Sequence, residues 1–239
     1  MPCKRSWVGL DHERRPHAGK RCCIMLRFKP DLPVDGTILC LGAHCDDIEI
    51  GCGGTLIELR NRHPELRFVW VVLSGDSVRE RETRSAAATL LGADANVTVT
   101  VHHFRGSYFP YCGEDIKDAF EELRSRVMPD LVMTHYLADR HQDHRVIADL
   151  TWNTFRSHAI LEYEIPKYDG DLAQPGVYCP LSPATSDLKI STLLQCFPSQ
   201  RGRQWFDEDL FRGHMRLRGV ECNSPTRHAE AFHARKLVL

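Results

Sequence analysis

The chain lacks any unbroken apolar run of about eighteen residues, the length a membrane-spanning helix needs. Its basic N-terminus, MPCKRSWVGLDHERRPHAGKRCC, also lacks the apolar segment of a secretory signal. These two absences lead to the expectation of a cytoplasmic protein with no integral membrane segment. A charge excess is missing as well: 31 basic and 32 acidic side chains leave a formal net charge of −1 with His neutral. That balance gives no electrostatic case for nucleic acid or an anionic membrane as the main partner, and leaves a small molecule as the expected one.

Ten cysteines are present, but without the spacings that would bridge them or bind a metal. They fall at 3, 22, 23, 40, 45, 52, 112, 179, 196 and 222, with no C-x-x-C pair. This excludes a cysteine-based zinc ribbon, and in a long chain without an export signal it reads poorly as a disulfide framework. Reduced thiols are expected, with Cys40, inside an apolar run, as a small core residue. The glycine run G51-C-G53-G54-T-L56 has Leu56 where a dinucleotide loop needs its third glycine. Asp46 and Asp47 would also repel a pyrophosphate, so a nucleotide cofactor is disfavoured. The glycines are assigned instead to close packing of the first helix on the sheet.

What is present is an alternation of strand and helix signals from Gly36 onward. The apolar runs at 37–44, 67–75 and 129–135 read as strands, the first two as buried on both faces. The β-branched stretch at 96–104 and the segment 159–166 are strand-like. Helices are expected over 55–63, 79–92, 114–127 and 143–158, the second closed by Gly92. After Pro166 the pattern breaks into Pro/Gly-rich turns, then helices near 184–197 and 206–218, with 229–239 as a closing edge strand. The repeated strand–helix order predicts a single-domain α/β, Rossmann-like layered fold with a mostly parallel sheet covered on both faces. Residues 1–30 read as a flexible leader and 31–239 as the domain; a homo-oligomer is left open.

Two clusters of metal-binding side chains fall just past strand ends, where open α/β sheets bind ligands. One is H44-C-D46-D47; the other is D139-R-H141-Q-D143-H144. Histidine nitrogen and carboxylate oxygen suit zinc, and a catalytic zinc takes three protein ligands plus water. A further carboxylate and a further histidine would then be free for proton transfer. The bland alternatives are a helix cap at Asp46-Asp47 and an N-cap at Asp143. His102 and His103 read as structural, while His135, ending a strand beside the second cluster, is a weaker candidate for lining the pocket. Of the arginines at 79, 81 and 84 one could meet a phosphate or sugar hydroxyl, but a solvated helix face is the default reading.

H-C-D-D-I-E-I-G-C-G-G (44–54) closely resembles the H-P-D-D-x-x-x-G-x-G-G signature of the LmbE-like, or PIG-L, deacetylases. D-x-H-x-D-H (139–144) resembles that family's second motif, and H-A-E-A-F (228–232) its C-terminal Y-A-E-A-F. The resemblance spans Gly36 to the C-terminus. It implies an LmbE-like fold and a zinc ion held by His44, Asp47 and His144, with Fe2+ or another divalent ion compatible with the same set. It implies Asp46 as general base, His141 as a transition-state stabiliser or proton donor, and Asp143 as the carboxylate that orients a histidine. The implied reaction is removal of an N-acyl group from an N-acetylglucosamine-type amino sugar conjugate. The alternatives are a zinc amidase or esterase on a non-sugar substrate, and a non-catalytic sugar-binding protein. Cys45 replaces the usual Pro and is not counted as a ligand, because in an extended segment it points away from its neighbours.

Overall fold

A mostly β-branched and aliphatic run makes β1 (Thr37–His44), whose first seven residues are buried. Its two faces serve two cores. Ile38 and Cys40 enter a cluster with residues of the helices packed on one side, while Leu39, Leu41 and Ala43 enter a second cluster on the other. That double burial is why the run reads as continuously apolar rather than alternating. The structure, a computed structural model, describes residues 30–93 and 95–238. The expected leader at 1–30 lies, but for its last residue, outside the described residues.

The elements after β1 are α1 (Asp47–Arg62), β2 (Arg67–Ser74), α2 (Ser77–Leu91), β3 (Val97–Val101), α3 (Gly113–Arg126), β4 (Leu131–His135), α4 (Gln142–Thr154) and β5 (Ala159–Tyr163). Then come β6 (Val177–Pro180), α5 (Pro183–Cys196), α6 (Glu208–Glu221) and β7 (Ala229–Ala234). The sheet order is β3-β2-β1-β4-β5-β7-β6. Pairings from β3 through β5 are parallel, and β7 runs antiparallel to both β5 and β6. Residues of α1, α2, α5 and α6 pack in the first cluster and residues of α3 and α4 in the second. The doubly covered, mostly parallel sheet expected from the strand–helix alternation is therefore present. No described helix is long and apolar enough to cross a membrane.

Two details differ from expectation. The closing strand is not at the edge: β7 sits between β5 and β6, and the edge is β6, hidden in the turn-rich region after Pro166. Four residues ending in Pro180 carry too little period to announce a strand, and Pro is tolerated at that outer position. The glycines do bring α1 onto its neighbours. A Cβ on Gly51 would lie 2.1 Å from the Tyr163 ring, and one on Gly54 would lie 2.7 Å from Leu181. The C-terminal motif bears on the same helix. Buried Glu230 accepts from the backbone N–H of Gly54 and Thr55 at 2.8 and 2.6 Å. Its partner Lys189, 2.6 Å away, donates to the carbonyl of Ile50. A buried ion pair thus braces the helix that begins with Asp47.

In this topology β1 lies between β2 and β4, where the chain order reverses. Loops leaving the carboxyl ends of β1 and β4 diverge there and open a crevice. Both motif clusters sit at its mouth.

Candidate metal centre and active site

The turn from β1 into α1 sends two adjacent carboxylates in different directions. Asp46 adopts φ 121°, a left-handed conformation that costs a non-glycine residue about 1–3 kcal/mol. Asp47 folds back so that its Oδ2 accepts the His44 backbone N–H at 2.6 Å and lies 3.2 Å from His135 Nε2. Its Oδ1 faces His144 Nε2 at 3.5 Å. Asp46 instead meets Arg79 through Oδ1 at 3.2 Å, while its Oδ2 is buried with no partner.

The second motif supplies the opposite wall. His144 is oriented through Nδ1, 3.0 Å from Asp139 Oδ2, which leaves Nε2 turned to Asp47. Asp139 is itself held by Lys167 Nζ at 2.9 Å and by the His141 backbone N–H at 2.7 Å. The N-cap of α4 is His141, not Asp143: His141 Nδ1 accepts the Asp143 backbone N–H at 3.2 Å. Asp143, in the first turn, instead lies 3.0 Å from His44 Nε2 and accepts backbone N–H groups of Ser107 and Phe109 at 2.5 and 3.2 Å. It therefore orients His44 and fastens the loop after β3 to the site.

The charges explain what the site needs. Burial works against a proton on His44, but the Asp143 and Asp47 carboxylates overcome it and raise the ring to about 10. Burial lifts Asp46 to about 7 despite Arg79 beside it. For His144, burial and the neighbouring His135 hold the ring down at about 3, neutral and able to give a lone pair. Burial also keeps His141 below its ordinary value. Asp46, Asp47, Asp139 and Asp143 converge here around Arg79, Lys167 and the His44 ring, which the carboxylates hold protonated. A divalent cation bound to the cluster would take the place of the proton that His44 holds against these carboxylates.

Among the described residues two sets of three donor atoms lie within 4.8 Å of one another: His44, His141 and His144, and Asp47, His135 and His144. They share His144. The trio expected from the sequence, His44, Asp47 and His144, draws on both and is drawn together in space. Clustered imidazole and carboxylate donors and the unpartnered Asp46 oxygen together fit zinc or a similar ion.

The family described as PIG-L, GlcNAc-PI de-N-acetylase, matches residues 39–155, from β1 to just past α4 and through both motifs. The "Uncharacterized deacetylase YaiS" of Escherichia coli (strain K12) is 32% identical over 142 residues, covering 54% of this chain and 74% of that protein. The chain belongs to the PIG-L family. Solved structures agree on the fold of this PIG-L protein. N,N'-diacetylchitobiose deacetylase from Pyrococcus horikoshii superposes with a TM-score of 0.65 at 20% identity, over 83% of each chain. GalB, the 4-carboxy-2-hydroxymuconate hydratase of Pseudomonas putida KT2440, gives 0.69 at 17% identity, over 85% of this chain and 98% of the other. One of these is a deacetylase and the other a hydratase, so fold likeness alone does not choose the chemistry.

Several contributors escaped the sequence reading. Asp139 lies inside the second motif, and its place in the spacing was the only signal. His135, only a weaker candidate from the sequence, is fully buried, 3.2 Å from Asp47 and stacked on His144 with ring centroids 3.9 Å apart. Arg79 is no solvated helix residue; α2 turns it inward onto Asp46. Lys167 had no motif at all. Cys45 is fully buried outside both donor sets, and burial pushes its thiol up to about 12. Its sulfur fills the space that a Cβ on Gly75 would need, at 2.6 Å.

Proposed function

We propose that this PIG-L protein is a zinc-dependent deacetylase acting on the acetylated nitrogen of an N-acetylglucosamine-type conjugate, with His44, Asp47 and His144 as metal ligands. The observation that carries the reading is Asp46: a buried carboxyl raised to about 7, one oxygen held by Arg79 and the other unpartnered beside the donor cluster. A base at that value is half ionised at neutral pH, where general-base catalysis works best.

Bound zinc would lower the pKa of its water and polarise the amide carbonyl. The protein's own groups do the rest. Asp46 receives the proton of the attacking water at its free Oδ2, while Arg79 fixes the carboxylate plane. His141 is neutral and its Nδ1 is occupied by the Asp143 N–H, so its proton sits on Nε2. It is therefore a donor for the developing oxyanion or the departing amine, which disfavours it as a ligand. Asp139, through Nδ1, keeps the His144 Nε2 lone pair on the ligand side. Asp143 steadies His44 and the loop at its back.

The test is to incubate the zinc-loaded chain with a panel of N-acetylated sugars and measure free amine and acetate. Asp46→Ala is expected to lower kcat by about 10²–10⁴-fold with zinc still bound. His44→Ala and Asp47→Ala are expected to lose the metal. Unchanged metal content and turnover in those two variants would refute the site, and release of acid only from esters or non-sugar amides would refute the substrate class.

A further inference from the structure

The match to the PIG-L family ends at residue 155, yet the turn that carries the second motif is held by chain beyond that point. After β4 the backbone N–H groups of this turn find acceptors largely outside it. Tyr136 donates to the Tyr163 carbonyl at 3.0 Å and Leu137 to Glu162 Oε2 at 2.9 Å. Arg140 donates to Asp171 Oδ2 at 2.6 Å. β5 and the segment after it thus form the mould in which Asp139 and His141 are set.

Lys167 is the centre of that contact. Its ammonium lies 2.9 Å from Asp139 Oδ2, 2.8 and 2.7 Å from the two Asp171 oxygens, and 3.4 Å from the Ile165 carbonyl. All three of its N–H donors are matched by protein acceptors and the side chain is 11% exposed, so none is left over for a substrate. The far end of the segment is fixed as well. Glu164, paired with Arg218 of α6, accepts the Ala173 N–H at 3.1 Å, and Arg218 donates to the Ala173 carbonyl. A lysine beside a cation site repels the cation, so its place there calls for a compensating role. Asp139 and Asp171, 2% and 8% exposed, share this one ammonium; without it two buried carboxylates face each other. Repulsion would then swing Asp139 away, and Asp139 Oδ2 is the acceptor that keeps the His144 proton on Nδ1.

We propose that Lys167 and Asp171 are positioning residues for the metal centre. They hold Asp139 where it aims Nε2 of His144 at Asp47, so that a segment beyond the family match tunes the affinity for the metal. This rests on the metal-centre reading above and extends it from the two motifs to residues 164–173.

Two measurements on the metal-free full chain test this: zinc competition against a chromophoric chelator, and long-range proton–nitrogen NMR of the histidines at neutral pH. Lys167→Met should weaken zinc binding by about tenfold, and His144 should pass from the Nδ1–H form to a mixture of tautomers. Adding Asp171→Asn removes the facing charge while keeping an acceptor for the Arg140 N–H, and should recover most of the loss. A deeper loss in the double variant overturns the argument. So does zinc affinity in Lys167→Met that is tighter than wild type or within about twofold of it. If a thermal melt shows Lys167→Met unfolded, Asp171→Asn alone decides, with an expected loss of about threefold; no loss refutes the role. If wild type binds no zinc while Lys167→Met still loses the Nδ1–H form, the metal reading fails and the positioning role stands. If wild type binds zinc and the variant keeps both the affinity and the Nδ1–H form, the metal reading stands and the positioning role is refuted.

Discussion

Replacing Asp139 by Asn tests how the proposed metal centre is organised, because no isosteric amide can satisfy what surrounds that carboxylate. Oδ2 faces two groups, His144 Nδ1 at 3.0 Å and Lys167 Nζ at 2.9 Å, while Oδ1 accepts the His141 backbone N–H at 2.7 Å. An Asn with its oxygen toward Lys167 presents its NH₂ to the His141 N–H, donor against donor, leaving a buried amide unsatisfied at about 1–3 kcal/mol. Turned the other way, the NH₂ opposes Lys167 and drives the His144 proton to Nε2, removing the lone pair that faces Asp47. Neither state holds His144 as a ligand at no cost. Loss of such an orienting carboxylate weakens metal binding by about 10–100-fold, or roughly 1.4–2.8 kcal/mol. The assay is competition for zinc between the metal-free variant and a chromophoric chelator, paired with a thermal melt to verify the fold. Zinc affinity within twofold of wild type in a folded variant would refute the claim that Asp139 orients a ligand.

Two further predictions rest on separate contacts. As the proposed base Asp46 must be ionised, and with its carboxyl raised to about 7, kcat/KM should fall as pH drops through that limb. Arg79 pulls the value down, so Arg79→Met should move the limb to higher pH by about one unit or more, and a limb that stays put or moves lower would sink the assignment. Glu230→Ala strands Lys189 and the N–H groups of Gly54 and Thr55 in the interior. Urea denaturation should show a loss of about 3–5 kcal/mol, partly recovered when Lys189→Met is added; a loss below about 1 kcal/mol would show the pair is not needed.

Much of the architecture was written locally. Apolar runs of strand length, helical stripes and glycines at the right places led to the layered α/β fold, because each depends on neighbours a few residues away. The same holds for the two motifs, whose spacing past strand ends put His44, Asp47 and His144 in one place once those strands proved adjacent. Where the pattern was short or the partner distant, the reading failed. β6 is too brief to show a period, and β7 looked like an edge because sequence order says nothing of an antiparallel insertion.

What the sequence determined by itself was the list of reactive groups and the elements that carry them. Only the tertiary structure decided how those groups divide their work. Asp46 and Asp47 are neighbours with the same side chain, yet one is turned by a left-handed backbone onto Arg79 and the other onto a wall of histidines. Their different protonation follows from burial and from charges contributed by α2, β4 and α4, many residues away. Long-range electrostatics of that kind depends on distance in space, and distance in space is what a linear order of residues does not contain.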